Sequence, residues 1–72
     1  MLVIKKTYNK EKYPYKQDSY FIFENMAKIK KAYAFPDDDF ETMEIFENKK
    51  LIARGKIGKY NNGINKLVIE RA

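Results

Sequence analysis

Histidine, cysteine and tryptophan are absent from this 72-residue chain, and serine occurs once, at Ser19. The first two absences remove most ways of building an enzyme: there is no imidazole base, no thiolate nucleophile, no Ser-His pair and no soft metal ligand. Only Asp, Glu, Lys and Tyr remain to do chemistry, so the chain reads as non-enzymatic, with no cofactor and no metal. Without cysteine no disulfide supports the fold, and this usage fits a reducing compartment.

Glycine and proline are also scarce, at three and two residues. Gly55-Lys56-Ile57-Gly58-Lys59 lacks the spacing of a phosphate-cradling loop and precedes no helix. Long apolar runs are missing as well. The opening Met-Leu-Val-Ile-Lys-Lys is too short for the apolar region of an export signal, and no later stretch approaches the roughly 20 residues that span a bilayer. The expected setting is therefore the cytoplasm, away from membranes.

What the chain does contain is lysine and large rings. The formal net charge is +5, and aromatic residues make up 15% of the chain. The rings make a compact fold credible at this length, because each buries much area per residue. A core this small supplies only a few kcal/mol, so dimerisation is a second source of stability. The charge has two readings. Phe, Tyr, Met, Ile, Asn and Lys, all with AT-rich codons, account for 41 of the 72 residues, which ascribes part of the lysine excess to genome composition. The alternative is contact with a nucleic-acid backbone.

Residues 2–8 are rich in β-branched side chains and read as a strand. Residues 9–19 form a polar arm around Pro14. Tyr20–Glu24 reads as a strand ahead of a helix over Met26–Ala34, with Asn25 as its N-cap. A competing reading caps one longer helix at Asp18 or Ser19. Pro36 and the run Asp37-Asp38-Asp39 end the helix and turn the chain.

The remainder reads as a three-strand meander. A two-residue turn at Asn48-Lys49 pairs Glu47 with Lys50, Phe46 with Leu51 and Ile45 with Ile52. A three-residue turn at Asn61-Asn62-Gly63 pairs Arg54 with Glu70, Gly55 with Ile69 and Ile57 with Leu67. The predicted fold is one α+β domain over residues 1–72. It has a mostly antiparallel sheet of four to five strands and one helix packed on one face.

These registers sort the meander into two faces. Phe46, Leu51, Ala53, Ile57, Leu67 and Ile69 are expected beneath the helix. Met43, Ile45, Ile52 and Val68, with Arg54 and Lys56 at the rim, are expected on the other face, as a surface for a protein partner or a second copy. The competing reading covers this face with the first strand or the arm, or curls the sheet into a roll.

Lys10, Lys12, Tyr13, Tyr15 and Lys16 interleave cations with rings, the composition of a single-strand nucleic-acid platform, and Lys28 and Lys31 extend it. The Asp37–Asp39 run reads as a turn, or as a docking patch for a basic partner. The leading expectation is a protein-binding module, in concrete form an accessory inhibitor of a phage or mobile element that occludes a larger protein machine. The alternative is a weak, sequence-nonspecific binder of single-stranded nucleic acid.

Overall fold

The computed structural model describes residues 1–72. The chain runs β1 (Leu2–Thr7), β2 (Ser19–Phe23), α1 (Met26–Ala32), β3 (Thr42–Glu47), β4 (Lys50–Lys59) and β5 (Asn65–Arg71). All five strands form one antiparallel sheet in the order β2-β1-β3-β4-β5. Strand then helix is thus the outcome for residues 19–32. Asn25 caps α1 as its sequence position suggests, its side-chain oxygen accepting from the Lys28 amide at 3.0 Å.

The two turns of the meander follow from local chemistry. Asn48 and Lys49 both take positive φ, 51° and 66°, as a two-residue hairpin turn matched to strand twist requires. Gly63 takes φ 84° in the second turn, where the Tyr60 amide donates to the Ile64 carbonyl at 2.8 Å. The expected pairs Glu47–Lys50, Phe46–Leu51, Arg54–Glu70, Gly55–Ile69 and Ile57–Leu67 all form.

One expected pair does not. Ile45 lies opposite Ala53, and the register shifts between Ile45 and Phe46, leaving Ile52 as the extra residue of a β-bulge. Because side chains alternate every residue, this one insertion moves Met43 and Ile45 to the face expected for Ala53, Ile57, Leu67 and Ile69. The reason lies in β1, which pairs Ile4 with Ile45 and Lys6 with Met43. Leu2 and Ile4 therefore share a face with Met43 and Ile45. An unbulged β4 would instead leave Ala53 on the side away from them.

The core sits on that face. Ile4, Ile29, Met43 and Ile45 are fully buried, joined by Leu2, Tyr8, Phe40 and Ala53. Gly55 permits close approach here, since a Cβ would stand 3.0 Å from Leu67 Cδ1. The expectation of a helix laid across the sheet changes in scale. Seven residues make about 10 Å of helix, roughly two strand spacings, and α1 approaches β2 most closely. Its contribution to the buried cluster is Ile29. Tyr33, just past the helix, links Phe23 and Phe40 through edge-on ring contacts at 6.1 and 6.3 Å.

The two faces should differ in energetic weight. Ile45→Ala is expected to cost about 2–5 kcal/mol, and Val68→Ala less than about 1 kcal/mol, measured as shifts in urea unfolding. Equal costs would contradict the assignment of Ile45 to the core.

Candidate functional site

Along β1 the alternation Leu2, Ile4, Lys6 places a lysine on the core side of the sheet, at 7% exposure. A buried ammonium needs a counter-charge. Asp38 supplies it, with Oδ2 accepting from Lys6 Nζ at 2.6 Å and from the Tyr8 hydroxyl at 2.7 Å. Phe21 and Tyr33 flank the ammonium with ring centroids at 5.0 and 5.4 Å. Burial is the largest single influence and would lower the Lys6 pKa, but the bond to Asp38 together with the charge interactions with Tyr33, Asp38 and Tyr8 holds the group above its ordinary value. Burial would likewise raise Asp38, yet the Lys6 and Tyr8 hydrogen bonds hold it below the usual carboxylate range. For Tyr8, burial and the Asp38 bond both push the hydroxyl up.

The next aspartate holds the arm. Asp39 Oδ2 accepts from Tyr13 at 2.6 Å and from Lys12 at 2.9 Å, and these bonds lower its pKa while raising those of both donors. Lys16 Nζ lies 4.0 Å from Asp38 and sits over the Tyr8 and Tyr13 rings. Lys10 Nζ donates to the Lys16 carbonyl and lies 3.7 Å from Asp18. An Asx turn shapes the segment, with Asn9 Oδ1 accepting from the Glu11 and Lys12 amides.

The docking partner for the acidic run is thus the chain's own arm. Lys10, Lys12, Tyr13 and Lys16 are engaged within the molecule, while Tyr15 stays 77% exposed. Lys28 and Lys31 are exposed on α1 and form no ion pair. Asp37, Asp38 and Asp39 do not converge as metal ligands.

The side of the sheet away from the core carries no helix-borne residue of the buried cluster. Of the six residues expected on an open interaction face, Arg54, Lys56 and Val68 are there. Met43 and Ile45 are fully buried on the core side, displaced by the bulge, and Ile52 is half-buried against the core. Their places are taken by Ile22 and Val3 and by Phe46 and Leu51, which were expected beneath the helix and which the same bulge puts on the opposite face from Ala53. Ile22, Val3, Phe46 and Leu51 form a continuous apolar row across β2, β1, β3 and β4. Beside it runs a row of Tyr20, Lys5, Glu44, Arg54 and Glu70.

The two edges of the sheet differ. β5 carries Lys66, Glu70 and Arg71, the charges that ordinarily discourage strand addition. β2 reads Ser-Tyr-Phe-Ile-Phe, without a charge, and Tyr20, Phe21 and Ile22 are 63%, 45% and 68% exposed. No backbone hydrogen bond outside the helix and strands involves residues 19–23, so the outer edge of β2 has no backbone partner.

Compared with described protein families, curated proteins and solved structures, the chain matches none. No helix is long and apolar enough to cross a membrane.

Asp38→Ala strands the Lys6 charge and is expected to cost on the order of 2 kcal/mol or more. Lys6→Met in that background should recover part of the loss. Because Asp38 titrates below its unfolded value, its contribution is present above about pH 4 and is lost as pH falls through the lowered pKa. Lys6, raised, contributes below about pH 10 and loses that contribution as pH climbs through its folded value. Urea midpoints across pH should show both limbs in the native chain and flattened limbs in Asp38→Asn. A native profile without an acid limb would refute the pairing.

Proposed function

We propose that this chain is a non-enzymatic protein-binding module that takes an extended segment of a partner protein onto the free edge of β2. The observation that carries the reading is the asymmetry between the edges, β5 charged and β2 uncharged and exposed. Of the usual protections against strand addition, β2 has only its short length. An incoming strand would gain main-chain hydrogen bonds from the unpaired edge, and Tyr20 and Ile22 would contact its alternate side chains.

A second copy is the poorer occupant of this edge. Antiparallel pairing centred on Phe21 brings Asp18 against Glu24 at both ends, two like-charge contacts that disfavour it. A partner segment with apolar residues in alternation meets no such repulsion. As a module for a phage or mobile element, the form that composition suggests, strand capture lets a small protein occlude a larger one without chemistry of its own. The arm provides no comparable support for nucleic-acid binding, because four of its five candidate residues are engaged with Asp18, Asp38, Asp39 or one another.

The test is selection from an immobilised library of random decapeptides. Native protein should enrich sequences with alternating apolar residues, and binding should slow amide exchange at residues 19–23. Tyr20→Lys/Ile22→Lys, which alters two exposed side chains, should remain folded and lose the enrichment. Enrichment that survives in the double variant would sink the proposal, as would a native protein that selects nothing.

A further inference from the structure

On the open face, Lys5, Glu44, Arg54 and Glu70 occupy directly paired positions on β1, β3, β4 and β5, so charge alternates plus, minus, plus, minus across four strands. Neighbouring strands lie about 4.8 Å apart. Even so, none of the three neighbouring pairs forms an ion pair; Lys5 reaches only Asp18, at 3.8 Å. The four charges are in register yet uncommitted to one another.

This pattern has a symmetry property. Reversed, the row reads minus, plus, minus, plus, which is its own complement. We propose that the open face is the interface of a symmetric homodimer, its occupant a second copy of this chain. A two-fold axis parallel to the strands, in front of the sheet and midway between β3 and β4, stacks β3 on β4 of the second copy and β1 on its β5. That one operation sets Glu44 opposite Arg54 of the second copy, and Lys5 opposite its Glu70. The adjoining apolar row lands Phe46 on Leu51 of the second copy, each half-buried in the single chain and each outside the core cluster. Every contact occurs twice, as an isologous interface demands.

The geometry tolerates sheet twist. Aligned sheets pack about 10 Å apart at roughly 30°. The flanking strands lie about 7 Å from the axis, so this angle moves Lys5 from Glu70 by roughly 4 Å, within reach of a lysine side chain. The molecule is a slab of 32 × 30 × 19 Å. Its broad faces match the about 800 Å² that each partner gives to a standard interface. β2 falls outside the overlap, so the proposal does not rest on strand capture, and both β2 edges stay open in the dimer.

The symmetry also supplies the test. Sedimentation velocity at about 100 μM, in low salt, should show the native chain as a dimer that dissociates as salt rises. Lys5→Glu and Glu70→Lys should each weaken association at least about tenfold, since each sets like charges face to face twice. An equal mixture of the two should dimerise again, because the first then presents two acids to two lysines of the second. Far-ultraviolet circular dichroism checks that each variant is folded; if either is not, Glu44→Arg and Arg54→Glu repeat the design on the inner pair. A monomeric native chain, single variants that dimerise unchanged, or a mixture that stays monomeric would each overturn the proposal. Loss of peptide selection at β2 without loss of the dimer would bear on strand capture alone.

Discussion

The carboxylate of Asp38 is the contact on which the rest of the structure depends. β1 places Lys6 on the apolar side of the sheet, and a lysine there is tolerable only with a counter-charge and hydrogen-bond partners. Asp38 reaches it from the segment joining α1 to β3, so one ion pair ties that segment to the sheet. The same oxygen takes the Tyr8 hydroxyl, and Asp39 beside it holds Lys12 and Tyr13. A net-basic protein thus spends two carboxylates of its acidic run on itself. This accounts for a Lys- and Tyr-rich arm that reads as a ligand platform in the sequence and serves as a strap in the fold.

Much of the architecture was legible because it is locally determined. Asn25 as a cap, positive φ at Asn48 and Lys49, and Gly63 in its turn all follow from the chemistry of a few adjacent residues. The register of the second hairpin follows from its turn, and that of the first does so as far as the bulge at Ile52. The face assignment of β3 was not legible, for a specific reason. Pairing Ile45 with Ile52 satisfies the hydrophobic pattern of two strands as well as pairing it with Ala53 does. Only the third strand decides, since Leu2 and Ile4 require Met43 and Ile45 beside them, and that pairing joins residues some forty positions apart. Lys6 was legible in principle: a strand with Leu2, Ile4 and Tyr8 on one face puts Lys6 on that face too. The acidic run was the obvious place to look for its partner.

The candidate surface was half legible. Arg54, Lys56 and Val68 lie where alternation places them, beyond the bulge, where β4 pairs with β5 in the expected register. Ile22, Val3 and Phe46 belong to the same surface only through the non-local pairing of β1. The result is a sheet with two unlike edges and two unlike faces. The core side is closed by Ile29 and the loop rings, the far side is broad and charge-patterned, and one edge is guarded while the other is bare.

The position of β1 inside the sheet has a kinetic consequence. β3, β4 and β5 are joined by short turns, and β1 and β2 by a single loop, so each group can form from contacts near in sequence. Joining them requires β1 to find β3, as in the pairing of Leu2 with Glu47, which closes most of the chain into one loop. Loop closure of that length carries an entropic cost that is recovered only when the shared core forms. The β1–β3 seam is therefore the step expected to limit the folding rate. Until it closes, Lys6 has no reason to leave water, and the apolar sides of both halves lie open to any neighbour in solution.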